Sequence, residues 1–190
     1  MHAELAPPRL VGDLVIWLVI LAELLTFGIL FLAYAVTRAR HLALFNASQR
    51  TLDLHAGVIN TLLLITGSWC VARAVQAVRA DRAGPGARWL AGSLLCGGAF
   101  LGLKLTEYAA KLNAGIDLST NDFYMLYFML TGFHFLHVVV GMILLTILLI
   151  KTLQGRYGSG NCHALETGAA FWHMVDLLWI VLFPLVYVMR

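Results

Sequence analysis

Charged side chains are scarce in this chain: of its 190 residues, 12% are Asp, Glu, Lys or Arg, whereas 61% are hydrophobic. Soluble domains carry about 25% charged residues, so the composition predicts an integral membrane protein. The net charge is only +3, and no basic arm or run of like charge is present. These absences argue against a nucleic acid as partner, because binding to phosphates requires clustered cations.

Cysteine is also scarce, with three residues in the chain. Cys70, Cys96 and Cys162 are unrelated in spacing and form no CxxC motif. Cys70 and Cys96 lie in apolar stretches, where a free thiol behaves as a small hydrophobic group. The sequence therefore predicts neither a disulfide framework nor a zinc site.

The start of the sequence does not predict a secretory signal peptide either. The opening segment "MHAELAPPRL" contains one arginine, and the apolar run that follows it is longer than the hydrophobic region of a signal peptide. We expect this first run to remain in the mature protein.

Long apolar runs, by contrast, are abundant. A bilayer crossing needs about 20 apolar residues, and the short connections between the runs predict that consecutive helices are antiparallel neighbours. The segment "RADRAGPGAR" is predicted to be a surface turn, and a GxxxG motif from Gly98 to Gly102 permits close helix approach. We predict an all-α integral membrane protein, a five-transmembrane-helix bundle forming a single domain over residues 1–190. The predicted spans are 12–36, 54–78, 89–108, 123–150 and 166–188.

The distribution of basic residues indicates the orientation of these spans. Lys and Arg are enriched in cytoplasmic loops, and a slight excess favours a cytoplasmic N-terminus and a periplasmic C-terminus. The cytoplasmic side would hold Arg9, Arg73, Arg79, Arg82, Arg88, Lys151 and Arg156, against Arg38, Arg40, Arg50, Lys111 and Arg190 outside.

Several ionisable residues lie inside the predicted spans. Each costs about 2.5–3.5 kcal/mol to insert unless it faces protein or water. His134 and His137 are three residues apart in "GFHFLHVVVG", as are His173 and Asp176 in the last span, so each pair shares a helix face. We predict an intramembrane polar network formed by Glu23, His134, His137, Glu166, His173 and Asp176.

A second polar group lies towards the outer end of the third span. Lys104 and Glu107 are three residues apart, and Lys111 follows Glu107 by four. This spacing predicts ion pairs at a helix end, with a lysine that extends its ammonium group towards the membrane surface.

The histidines have other possible roles. His134 or His137 opposite His173 is a conceivable bis-histidine haem site, but bulky neighbours crowd both positions. No facial cluster of ligands suggests a reactive metal site, and the polar groups form no ladder between two water phases. Because His137, Asp176 and Glu23 fall at similar depths, we predict that His137 or His134 hydrogen-bonds to Asp176 or to backbone near it, with Glu23 facing a lipid headgroup or a partner subunit.

The last two spans resemble subunit III of the haem-copper respiratory oxidases. "TGFHFLHVVVG" is similar to a G-x-H-x-x-H-V helix of that family, and "ETGAAFWHMVDLLWIVLF" to the W-H-x-V-D-x-x-W helix that follows it. "LAELLTFGILFLAYA", "INTLLLITGS" and "TEY" resemble earlier helices of the family. The matching positions include Gly132, His134, His137, Val138, Gly141, Glu166, Trp172, His173, Val175, Asp176 and Trp179.

The chain lacks two N-terminal helices of the seven-helix members. Five helices resemble quinol oxidase subunit III and the small subunit-III-like accessory protein of bacterial nitric oxide reductases. The short loops and "ALFNASQRTL" are more similar to the latter. The resemblance implies a non-catalytic accessory subunit in the bacterial plasma membrane, with no cofactor of its own. Its partner would be a catalytic membrane subunit that carries haem and metal, and phospholipid would be bound.

Two other classes of function compete with this one. A small membrane haem protein would pass electrons between quinone and a partner. A carrier or channel would use Glu23 and Asp176 as intramembrane acids, although no inverted repeat or broken helix supports a transporter.

Overall fold

The computed structural model describes residues 14–189, so Arg9, Gly12 and Arg190 lie outside the described residues. Five segments of the described chain are helical, long and apolar enough to cross a membrane, the last of them including a π-helical turn at Pro184–Val188. The predicted all-α fold with five membrane spans is confirmed. The helices are Leu14–Arg40 (α1), Leu42–Gln49 (α2), Leu54–Arg79 (α3), Ala83–Asn113 (α4), Asp122–Leu153 (α5) and His163–Phe183 (α6).

Four of the spans form a closed ring in which α3 packs on α4, α4 on α5, α5 on α6, and α6 on α3. The α1 helix lies outside this ring, against α5 and α6. The expectation that consecutive spans are neighbours is therefore wrong for α1, which packs chiefly against the last two spans. Its buried residues, Ile20, Phe27 and Tyr34, recur every seven residues and form one narrow stripe.

The structure corrects one local prediction. Gly84, Pro85 and Gly86 belong to the first turn of α4 instead of to the preceding loop, since proline is tolerated where a helix has no internal hydrogen bond to lose. The segment from Leu42 to Gln49, which carries most of "ALFNASQRTL", is a short helix. It carries the chain from the C-terminal end of α1 to the start of α3.

Candidate functional site

The intramembrane polar residues form several separate contacts. Glu23 of α1 meets His137 of α5, with 3.0 Å between Oε2 and the imidazole Nε2. His137 Nδ1 lies 2.8 Å from the Phe133 carbonyl, and because a carbonyl only accepts, Nδ1 carries a proton.

The predicted hydrogen bond between His137 or His134 and Asp176 is wrong. His137 faces α1, where the ring of Phe27 lies 5.4 Å from it. His134 is fully buried, and its ring packs 5.8 Å from Phe100 and 5.2 Å from Trp179. Neither nitrogen of His134 has a hydrogen-bond partner within residues 14–189. The two histidines share a side of α5, but they meet different neighbours.

Asp176 and His173 face α3 instead. The Ser68 hydroxyl lies 2.5 Å from His173 Nδ1, and the same hydroxyl is beside the Asp176 carboxylate. Asp176 is 7% exposed, and its Oδ1 has no hydrogen-bond partner in the described part of the chain. His173 therefore does not face His134 or His137 across the bundle.

Glu166 was predicted to belong to the intramembrane polar network, but it lies at one end of the bundle and contacts none of the other predicted members. Its Oε1 accepts a hydrogen bond from Arg79 Nε at 2.9 Å and forms an ion pair with Arg79 Nη2 at 2.7 Å. The Cys162 thiol donates to the same oxygen, and this hydrogen bond to a carboxylate raises the pKa of Cys162. These contacts join the end of α3 to the start of α6.

Lys104 is fully buried, which corrects the prediction that it extends towards the membrane surface. Its ammonium lies 3.0 Å from Glu107 Oε2, 2.5 Å from the Tyr187 hydroxyl and 3.2 Å from the Tyr127 hydroxyl. Both tyrosines in turn donate to Glu107 Oε1, at 2.6 and 2.7 Å. All three ammonium protons thus have acceptors, and both carboxylate oxygens are engaged.

Aromatic rings complete this buried site. The rings of Tyr108, Tyr127, Trp179 and Tyr187 have centroids 4.9–5.6 Å from the ammonium, within range of cation–π attraction. Lys104 and Glu107 form an ion pair at 3.0 Å, whereas Lys111 donates to the Thr51 carbonyl at 2.7 Å instead of joining that pair. We name Lys104, Glu107, Tyr127 and Tyr187 the lysine cage. The i, i+3 spacing indicated the pair, whereas no sequence pattern indicated the two tyrosines.

The Glu23–His137 contact leads to a test by double-mutant cycle. Hydrogen bonds between membrane helices contribute about 0.6–1.7 kcal/mol, and both side chains are partly exposed, 27% and 12%. We expect Glu23→Ala and His137→Ala to lower the free energy of unfolding, with a coupling energy in that range. The matched control couples Asp176→Ala with His137→Ala and should be additive within about 0.5 kcal/mol. Coupling between Asp176 and His137 would contradict the observed pairing.

Comparison with known proteins places the chain in a family. The family model described as cytochrome c oxidase subunit III matches residues 12–190. The cytochrome c oxidase subunit 3 of Thermostichus vulcanus is 32% identical over 189 residues, 99% of this chain and 91% of that protein. The haem-copper oxidase subunit I+III of Aeropyrum pernix is 32% identical over 178 residues, 90% of this chain and 22% of that protein.

A third relative is named for a quinol oxidase. The cytochrome bo(3) ubiquinol oxidase subunit 3 of Pseudomonas aeruginosa is 27% identical over 173 residues, 91% of this chain and 82% of that protein. The match of the family model to residues 12–190 of the 190-residue chain, together with these relatives, shows that the chain belongs to the cytochrome c oxidase subunit III family.

Proposed function

We propose that this chain is a non-catalytic accessory subunit of a bacterial respiratory haem-copper oxidoreductase, packed beside the catalytic membrane subunit that holds haem and metal. The proposal is supported first by membership of the subunit III family across residues 12–190. It is supported also by the fused relative, whose name joins a subunit I and a subunit III in one polypeptide. A fused arrangement requires that the two parts belong to one assembly.

The structural support for the proposal is that the polar side chains inside the membrane pair with one another within the chain. Glu23 pairs with His137, His173 contacts Ser68, and Lys104 is enclosed by its cage. These contacts join helices within the chain. The surface of α1, by contrast, is apolar, with Leu18, Leu21 and Leu25 exposed. A bundle with internal polar contacts and an apolar exterior suits side-by-side packing with other membrane helices.

Capture of the native complex tests the proposal. The tagged chain, extracted from its own membranes in mild detergent, should retain a haem-containing catalytic subunit. The chain separated from that partner should show no Soret band. A stoichiometric Soret band in the isolated chain that disappears in His173→Ala, but not in the matched surface variant His163→Ala, would favour the small haem protein and overturn the accessory role.

We also propose a finer assignment, to the subunit-III-like accessory protein of a bacterial nitric oxide reductase, which rests on the resemblance of "ALFNASQRTL". The length of the chain does not distinguish an oxidase from a nitric oxide reductase as the partner complex. The oxidase subunit of Thermostichus vulcanus is of similar length, because the 189 matched residues make up 91% of it. The captured complex should consume nitric oxide. Oxygen consumption without nitric oxide consumption would overturn this finer assignment and leave the accessory role intact.

The proposed orientation places the α3–α4 and α5–α6 loops in the cytoplasm. Ser119 in the α4–α5 loop and Ser159 in the α5–α6 loop are both exposed, so they form a matched pair for cysteine labelling. With Cys162 replaced by serine, Ser119→Cys should react with a membrane-impermeant maleimide in spheroplasts. Ser159→Cys should react only after the membrane is opened. The reverse pattern would invert the topology.

A further inference from the structure

A cavity of about 520 Å³ opens between α1, α3 and α6. It exists because α1 packs against α5 and α6 and leaves a space towards α3. Its volume is that of a site for a small organic ligand. The wall includes one indole ring, three alanines and two polar side chains, which are Trp17, Ala72, Ala169, Ala170, Gln76 and His173. We name it the His173 cavity.

Two helix stripes form the long walls of this cavity. Ala72 and Gln76 lie four residues apart on α3, and Ala169 and His173 lie four residues apart on α6. Residues at this spacing share one face of a helix. Because alanine is small, the two stripes leave a slot between the helices that is open to a flat ring.

The position of His173 is unusual for an ionisable side chain. It is exposed, yet it lies ten residues after the start of α6, about 15 Å into the span. Its only hydrogen bond within residues 14–189 joins Nδ1 to the Ser68 hydroxyl at 2.5 Å, and Asp176 is beside the same hydroxyl. Ionisable groups at this depth indicate a functional site. The second nitrogen, Nε2, is left for a ligand.

The two polar side chains of the wall differ in what they offer a ligand. A hydroxyl both donates and accepts, so with Ser68 on Nδ1 the His173 Nε2 is an acceptor in one imidazole tautomer and a donor in the other. Gln76 Oε1 accepts from Arg73 Nη1 at 3.3 Å. The amide N–H groups of Gln76 have no hydrogen-bond partner in the described part of the chain and are donors.

The distance between these groups limits the size of the ligand. Gln76 is eight residues after Ser68 on α3, and Ser68 marks the level of His173, so the two levels are about 12 Å apart along the bundle. The two oxygens of a para-quinone ring are roughly 5 Å apart by their covalent bond lengths. With a hydrogen bond of about 2.9 Å at each end, a quinone ring spans a similar length.

We propose that the His173 cavity binds an isoprenoid quinone, with one ring oxygen at His173 Nε2 and the other at the Gln76 amide. A quinone carbonyl accepts and a hydroquinone hydroxyl donates, so His173 serves both redox forms. The one cation among the described residues of the wall, Arg79, is paired with Glu166. This neutrality and the depth of His173 favour an uncharged ring over a phosphate headgroup. The site does not depend on which complex the chain joins.

Quinone binding by the purified full-length chain tests this proposal. The chain in neutral detergent is titrated with decylubiquinone, and separately with its quinol, by isothermal titration calorimetry. We expect saturable binding of both forms. One lost hydrogen bond corresponds to about a fivefold change in affinity, so His173→Ala with Gln76→Leu should weaken binding roughly 25-fold. The matched control is His163→Ala with Gln154→Leu, at exposed helix ends, which should bind as the wild type does.

A cavity-filling variant tests the location without removing a polar group. Ala72→Leu should weaken binding more than tenfold, whereas Ala99→Leu at an exposed position of α4 should not. Decylbenzene, which has the alkyl chain without ring oxygens, should not compete. Equal losses in the two double variants, or full binding by Ala72→Leu, would overturn the proposal. Displacement of the quinone by an equal concentration of phosphatidylcholine would identify an ordinary lipid as the occupant and would also overturn it.

Discussion

Replacement of Lys104 by methionine is expected to lower the free energy of unfolding by about 3–5 kcal/mol, because breaking a buried ion pair leaves an uncompensated charge. Lys104 is fully buried, and the Glu107 side chain is 8% exposed. Methionine keeps the apolar stem among the aromatic rings but removes all three donors. The Glu107 carboxylate would keep its two tyrosine hydroxyls and lose its counter-charge. Reversible unfolding in mixed micelles measures the change.

The matched control is Lys111→Met, which makes the same replacement two turns later on α4. Lys111 is partly exposed and donates to the Thr51 carbonyl, so its loss should cost about 1 kcal/mol or less. A second arm uses Glu107→Gln, alone and combined with Lys104→Met. The double variant should lose at least about 1 kcal/mol less than the sum of the singles. Additive losses, or equal losses at Lys104 and Lys111, would show that the cage does not act as one unit.

The lysine cage also shows which contacts the sequence makes predictable. Lys104 and Glu107 are on one helix, where a spacing of three residues brings side chains together whatever surrounds them. Tyr127 and Tyr187 reach the same point from α5 and from the π-helical turn. Whether these two side chains contact Lys104 depends on how the helices that carry them are rotated about their axes relative to α4. No periodicity in the sequence encodes that rotation.

The mistaken pairing of His137 with Asp176 has the same cause. Rise per residue gives the depth of a side chain in the membrane, but it does not give the neighbour that the side chain faces. The ring formed by α3, α4, α5 and α6 excludes α1, so Glu23 meets His137 from outside the ring while Asp176 faces α3. Span positions were predictable because hydrophobic length alone determines them. The neighbours of each helix were not predictable in the same way, because α1 packs against α5 and α6 and not against the span that follows it in the chain.

Packing around Trp172 provides the second large expected effect. This side chain is 1% exposed, and two glycines from neighbouring helices leave room for its ring. A Cβ atom at Gly141 of α5 would lie 2.9 Å from Trp172 Cε3, and one at Gly97 of α4 would lie 2.9 Å from Cη2. A further glycine, Gly67 of α3, would place its Cβ 3.6 Å from the same ring. An indole ring surrounded on these sides cannot move away from an added methyl group.

Gly141→Ala is therefore expected to lower the free energy of unfolding by about 1–3 kcal/mol, the usual cost of overpacking a core. The matched control is Gly98→Ala on α4. The GxxxG motif of Gly98 and Gly102 was expected to allow close helix approach. A Cβ at either position, however, would meet no atom of a neighbouring helix within 4 Å among residues 14–189. Alanine at Gly98 should therefore be neutral or stabilise the helix by up to about 1 kcal/mol.

A smaller ring at position 172 separates steric overlap from a general effect of alanine on α5. Trp172→Phe alone should destabilise the bundle, because it removes buried aromatic volume. In combination with Gly141→Ala, the phenyl ring leaves space for the methyl group, so the double variant should lose less than the sum of the two singles. If the losses are additive, the overlap between residue 141 and the ring is not what destabilises Gly141→Ala. If the losses are strongly non-additive while Gly98→Ala is harmless, contact between α5 and α6 at Trp172 sets how closely these two spans pack.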